Sequence, residues 1–450
     1  MVRVTDMTHG RPIRLILLFS LPLMLGSVFQ QLYTIVDTII IGRGVGMQAL
    51  ASIGAADWIN WLVLWGLQGF TQGFAILAAQ EFGAGAYDRL RRVLAMIVKL
   101  SCWFGIAVTI ISLLLVRPLL TLLHTDPAVF GGAQTYLYVQ FGGSLIIIAY
   151  NMAAAVLRCL GDSRTPLFAI IAASFANIAL DLLFVMGFGW GIFGASFATV
   201  LAQLIAFLLC LRSLRRLPFV QLTKADWKTD PAILLHLCRL GIPTGLQMSM
   251  ITLGGMVLQS VLNVFGVVFV AGYTAANKLY GILESASVAF GYAMTAYMGQ
   301  NRGARNAARI DAGIRAVLVL SAEFTAAIVT AMLLAGKPLL GLFLSTEEAG
   351  AADALAVAYQ YLMVLMAFLF ALFMLQAYRS SLQGLGEMTV PTLSGFAEML
   401  MRMGAALVLP IFIGQSGVFF AEGAAWVCAA ALNLVWYYMR IGKIKRDMLQ

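Results

Sequence analysis

Arg117-Pro118-Leu119-Leu120-Thr121-Leu122-Leu123 returns about 220 residues later as Lys337-Pro338-Leu339-Leu340-Gly341-Leu342-Phe343. The echo is not isolated. Leu157-Arg158-Cys159-Leu160-Gly161-Asp162, followed by Pro166, returns as Leu382-Gln383-Gly384-Leu385-Gly386-Glu387, followed by Pro391. Leu21-Pro22 answers to Ile242-Pro243, and Gln80 to Gln300. A chain that runs the same course twice has two similar halves. Duplicated membrane bundles with binding chemistry at or between their halves are a common build of secondary transporters.

The rest of the composition agrees. Hydrophobic residues make up 61% and charged residues 11% of the 450, against roughly 25% charged in soluble proteins. Polar or glycine-rich breaks fall near 42–49, 83–92, 117–129, 160–166, 187–192, 213–232, 266–270, 301–309, 337–355, 384–391 and 414–417. They predict twelve transmembrane helices, each near or above the ~20 residues that cross a bilayer core. The expected fold is all-α and polytopic, with a six-helix lobe over 1–211, a linker over 212–229 and a second six-helix lobe over 230–450. An even number of spans per lobe points both copies the same way, related by a pseudo-twofold axis along the membrane normal.

Charge follows the membrane rather than a nucleic acid. Of 29 Lys and Arg, 24 fall on one set of alternate breaks, including Arg3, Arg11 and Arg14 at the start and Arg379 before the tenth break. Only Arg43, Arg117 and Lys337 fall on the other set, and Lys278 and Arg402 sit within spans. That bias places both termini in the cytoplasm, with a cell inner (plasma) membrane as the expected location. The apolar run after Arg14 is too long for a signal core and reads as a first span. Five scattered cysteines, Cys102, Cys159, Cys210, Cys238 and Cys428, form no Cys-x-x-Cys pair and read as small hydrophobes. His9, His124 and His236 have no acidic or cysteine cluster beside them, which argues against a zinc site.

Carboxylates inside a membrane are costly and functional by default. Asp37 lies five residues before Gly42, Asp181 six before Gly187, and Thr199 five after Gly194. At ~1.5 Å per residue all three sit roughly 8–9 Å from the outer surface. Asn177 lies one turn from Asp181 on the same face. Two carboxylates and a hydroxyl at one depth, with an amide one turn below, are candidate ligands for Na⁺; crowded carboxyls in a bilayer could equally hold a proton. The repeat is an internal control. Asp37 falls on Val257 or Leu258, Asn177 on Arg402, Asp181 on Ala406 and Thr199 on Cys428. No counterpart is acidic, which restricts the expected ion chemistry to the first half.

Other embedded charges carry less. Asp57 and Lys278 occupy nearly equivalent repeat positions and are candidates to pair at a gate when the outer side is closed. Glu398 and Arg402, four apart, are expected to pair within their helix. Glu284 is a candidate for lining a central cavity, and Glu323 has no evident role. Trp58, Trp61 and Trp65 share one helix face, as an interfacial or packing stripe would. Pro22 interrupts the first span and marks a candidate hinge.

Twelve spans in two lobes, Pro22 and Asp37 in the first span, Gln80-Glu81-Phe82-Gly83-Ala84-Gly85 closing the second and Gln300-Asn301-Arg302-Gly303-Ala304 closing the eighth resemble the multidrug and toxic compound extrusion (MATE) family. Asp37, Asn177, Asp181 and Thr199 match the N-lobe cation site of its branch related to DNA-damage-inducible protein F. The resemblance implies that H⁺ or Na⁺ binding there bends the first span at Pro22. Another branch carries a glutamate near the start of the seventh span; Pro243-Thr244-Gly245-Leu246-Gln247-Met248 has none. The expected function is cation-coupled antiport of small organic, cationic compounds by a monomer, without cofactor, nucleic-acid partner or enzymatic chemistry. No phosphate loop, His-Glu-x-x-His or Gly-x-Ser-x-Gly motif is present. The rival, a flippase for a lipid-linked saccharide precursor, calls for clustered basic residues facing a cavity, and only Lys278 and Arg402 lie within the expected spans.

Overall fold

The computed structural model describes residues 4–343 and 350–449; Arg3 of the basic start and part of the break after Lys337 lie outside the described residues. The long elements are all helices: α1 Pro12–Gly44, α2 Met47–Gly83, α3 Tyr87–Leu122, α4 Pro127–Gly142, α5 Ser144–Cys159, α6 Arg164–Asp181, α7 Gly191–Leu214, α8 Pro231–Leu262, α9 Val267–Gly303, α10 Ala307–Gly341, α11 Ala351–Gly384, α12 Thr389–Ile413 and α13 Phe420–Leu449. No strand occurs among the described residues. In a bilayer every backbone N–H and C=O needs an internal partner, and a helix supplies it within one segment. Leu114, Leu334, Ile411 and Phe412 are exposed on these helices, a surface suited to lipid and not to water.

Among the described residues ten helices are long and apolar enough to cross a membrane, and α4 with α5, bent by 50°, adds an eleventh where the pair counts as one span. The one expected span outside this set is the eighth, α9, which has 37 residues. Its Thr274, Asn277, Lys278, Glu284 and Ser285 make it less apolar than the rest. The α4–α5 bend was not expected. It falls at Gly142-Gly143, where a Cβ on Gly143 would stand 2.5 Å from the Val200 side chain, so close packing against α7 explains the glycine. The expected break at 117–129 shrinks to the residues between Leu122 and Pro127, because α3 continues through Pro118. Likewise α10 continues through Pro338, as membrane helices tolerate. Asp126 then starts α4 by accepting from the Ala128 N–H at 2.7 Å, with Pro127 in the first turn.

The chain forms two compact units. The first holds Leu21–Ser249 with the short segment ending at Asp6; the second holds Met7–Ser20 with the chain from Met250 onward. Two of the three changes of unit fall inside helices, one in α8 after Ser249 and one in α1 after Ser20, just before Pro22. In the first unit, Gly69 and Gly73 of α2 meet Gly241 and Gly245 of α8. A Cβ on Gly73 would lie 2.6 Å from the Gly241 Cα, and one on Gly69 2.7 Å from the Thr244 carbonyl. Small residues four apart on both helices let two backbones touch. The polar stretch 212–229 packs on the same unit. Lys99 Nζ donates to the Trp227 carbonyl at 2.5 Å and to Thr229 Oγ1 at 2.9 Å, while Phe219 meets Phe82 and Tyr87. In the second unit, the buried Met7 donates its N–H to Gln300, and its carbonyl accepts from Asn301 and Arg309.

Candidate cation site

Asp37 of α1, Asn177 and Asp181 of α6, and Thr199 of α7 all belong to the first unit. The Asp37 and Asp181 carboxyls lie close enough to share a hydrogen bond once one of them carries a proton. As two carboxylates both are acceptors, and Asp37 Oδ1 and both Asp181 oxygens are buried with no donor. Asp181 is 0% and Asn177 2% exposed. The Asn177 amide is also unpaired at both ends. A buried polar atom left unpaired costs about 1–3 kcal/mol, which makes these oxygens candidate ligands. Thr199 donates its hydroxyl to the Ala195 carbonyl at 3.2 Å, which leaves its oxygen lone pairs available to a cation.

Asn177 and Thr199 open on a cavity of about 20 Å³, shared with Gln30, Tyr33, Tyr150 and Gln203. A single water or small ion needs roughly 10–15 Å³ by the same measure. Asp37 and Asp181 do not line this cavity themselves, so the four residues form two adjoining groups, a carboxyl pair and a polar chamber. Oxygen ligands of this kind suit a hard cation, and the carboxyl pair suits a proton.

Directly after Asp181 the helix widens into a π-helical turn, Leu182–Gly187. Such turns are rare and recur at functional sites. Leu-Leu-Phe-Val-Met-Gly carries no signal for it. Sequence reading also set Asp57 apart from this group, yet Asp57 lies within electrostatic reach of Asp37. Tyr136, which meets Asn60 Nδ2 at 3.3 Å, feels both charges. Tyr33 belongs here as well, since Asp37 and Asp181 both act on it; its position four residues before Asp37 was a readable sign. Lys278 is exposed on α9, as is Glu323 on α10. Trp58 and Trp61 meet edge to face at 5.4 Å, with Trp61 and Trp65 about half exposed.

The second unit holds a different arrangement. Glu398 and Arg402 pair at 3.1 Å within α12 as expected, but the pair is part of a longer chain of charges. Arg379 of α11 reaches Glu398 at 2.5 Å, and Arg402 reaches Glu422 of α13 at 2.8 Å. Arg379, counted in the sequence with a polar break, is a buried member of its helix at 3% exposure. Glu284 faces this network, hydrogen-bonded to Tyr280 and within reach of Glu422, Arg402 and Glu398.

Long apolar helices in two similar halves, with donorless buried carboxylate oxygens in the first, fit a polytopic membrane transporter. The MatE family model matches residues 22–183 and 243–408. The probable multidrug resistance protein YpnP of Bacillus subtilis is 31% identical over 99% of this chain and 98% of its own. The probable multidrug resistance protein YoeA of the same organism is 26% identical over 95% and 94%. A crystal structure of MATE in complex with MaL6 superposes with a TM-score of 0.91 at 24% identity, covering 99% of this chain and 100% of that one. The chain belongs to the multidrug and toxic compound extrusion family, MatE.

Proposed function

We propose that this protein is a cation-coupled antiporter that exports small organic, predominantly cationic compounds, with H⁺ or Na⁺ bound at Asp37, Asp181, Asn177 and Thr199. The observation that carries the reading is the set of buried carboxylate and amide oxygens without donors, contributed by α1 and α6 at the start of a π-helical turn. The same four residues support placing the chain in the branch related to DNA-damage-inducible protein F. The names of YpnP and YoeA as multidrug resistance proteins support the cargo class. In the second unit Glu398 and Glu422 are matched by Arg379 and Arg402, while Asp37, Asp57 and Asp181 make no ion pair among the described residues. That balance favours cations over anions.

The lysine and arginine distribution orients both termini to the cytoplasm, most naturally in the plasma membrane. An ion moving inward binds the carboxyl pair and withdraws its charge from the low-dielectric interior. Coupling requires that this binding differ between inward-open and outward-open states, since equal affinity shifts nothing. Pro22 lacks the N–H that would close the helix there, and α1 changes unit directly before it, so Pro22 is where bending of α1 would fall.

The test is efflux of fluorescent organic cations from proteoliposomes, with sodium and pH gradients imposed separately. One gradient is expected to drive wild-type efflux. Asp37→Asn and Asp181→Asn are each expected to abolish the driven component while inserting normally. Wild-type efflux by both variants would sink the assignment.

A further inference from the structure

The turn between α9 and α10 carries an arginine where the fold itself asks for glycine. In the first unit α2 ends in a turn closed by Ala84 N–H to Gln80, Gly85 N–H to Phe82 and Ala86 N–H to Glu81, at 3.0, 3.0 and 3.1 Å. In the second unit the repeat is bond for bond the same: Ala304 N–H to Gln300, Arg305 N–H to Arg302 and Asn306 N–H to Asn301, at 2.9, 3.0 and 3.0 Å. The second bonded position is left-handed in both, with φ +66° at Gly85 and +56° at Arg305. Glycine adopts that conformation without steric cost; an arginine does not. Strain kept at a position where the chain's own other half uses glycine calls for a purpose beyond making the turn.

What surrounds the two turns differs in the same sense. Phe82, the counterpart of Arg302, is covered by Tyr87 and Phe219. Arg302 and Arg305 instead line an open pocket of about 210 Å³ with Ile444, Asp447 and Met448 from the last turns of α13. Neither guanidinium makes an ion pair among the described residues. Asp447 and Glu387 act on Arg302 from a distance, and Glu387 itself faces Arg440 at 4.0 Å. The pocket therefore holds two guanidiniums against one lining carboxylate. Planar forks of N–H donors match phosphate oxygens two at a time, and basic pockets at the cytoplasmic ends of membrane helices are where lipid headgroups are held.

We propose that the pocket between the α9–α10 turn and the end of α13 binds a phosphate group through Arg302 and Arg305. The proposal does not depend on the transport reading. Two sources share this chemistry, the headgroup of an anionic phospholipid and a free phosphate ion. The full chain, purified in neutral detergent, is titrated with inorganic phosphate and, separately, reconstituted in nanodiscs of phosphatidylcholine with or without phosphatidylglycerol. Thermal stability is read in each arm for wild type, Arg305→Gly, Arg305→Gln and Arg302→Gln. Arg305→Gly restores the residue that the first unit uses, so it is expected to fold. Protection of wild type by either anion, weakened about tenfold or more in half-saturating concentration in the variants and by added salt, supports the site. Protection by phosphate alone assigns a free ion, and protection by phosphatidylglycerol, with or without phosphate, assigns the lipid. No protection of wild type in any arm, or equal protection of all three variants, overturns it.

Discussion

Glu398→Gln should be among the most destabilising single-atom changes available in the second unit. Glu398 spends one oxygen on each of two arginines, Oε2 on Arg379 at 2.5 Å and Oε1 on Arg402 at 3.1 Å. The side chains of Arg379, Glu398 and Arg402 are 4%, 4% and 6% exposed. A glutamine of the same shape can accept from one guanidinium, but its amide then points donors at the other. Arg402 keeps Glu422 at 2.8 Å and the Ile251 carbonyl at 3.0 Å. Arg379 keeps only a marginal contact with Ser394 Oγ at 3.5 Å. Its charge is then buried without a counter-ion, a loss of about 3–5 kcal/mol. For a unit of this size that corresponds to a fall in melting temperature on the order of 10 °C, read by the temperature dependence of monodisperse protein in detergent. Removing both charges, in Arg379→Met with Glu398→Met, should recover most of the loss, because a well-packed apolar pair can replace a buried ion pair at little cost. Glu398→Gln melting with the wild type, or the double variant melting below Glu398→Gln, refutes the reasoning.

Gly73→Leu should push α2 off α8, since a Cβ there already meets the Gly241 backbone at 2.6 Å. We expect a loss of about 1–3 kcal/mol or more in the same melting assay, whereas Gly54→Ala, whose Cβ would meet nothing within 4 Å, should melt with the wild type. Asp226, outside the spans, should make the 212–229 segment acid-sensitive. Burial works to raise its carboxyl pKa but is outweighed by the Thr223 N–H and hydroxyl, both at 2.7 Å, and by Arg91 and Arg92, so the net shift is downward. A group depressed on folding contributes stability above its unfolded value and loses it as pH falls through the folded one. Trypsin cleavage at Lys224 and Lys228 should therefore accelerate only below the ordinary carboxylate range. Asp226→Asn should cleave quickly at neutral pH and change little on acidification; slow cleavage of that variant at neutral pH would count against the assignment.

The parts of this fold that could be read in the sequence are those the bilayer enforces on every segment. Span lengths, the distribution of Lys and Arg, and the duplication all follow from the need to bury apolar surface and satisfy a backbone without water. The Glu398–Arg402 pair was readable because four residues make one helical turn. Arg379–Glu398 was not, since its partners sit on different helices and only the crossing of α11 and α12 joins them. The α4–α5 bend, the π-helical turn after Asp181 and the burial of Arg379 likewise depend on neighbours distant in sequence. Where the repeat was read as an absence, the structure supplies a substitution. Asn177 of the first half corresponds to Arg402 of the second. At Asn177 and Asp181 the first unit leaves oxygens buried without donors. At Arg402 the second unit fills the same place in the repeat with a guanidinium held by Glu398, Glu422 and the Ile251 carbonyl. One half thus carries a cation fixed by covalent attachment, and the other carries buried oxygens without donors, which the proposed coupling ion would occupy. A duplicated bundle that differs between its halves in this way can respond to an ion in one half while the other keeps its charges fixed, and that asymmetry is what a coupling ion would need in order to favour one conformation over another.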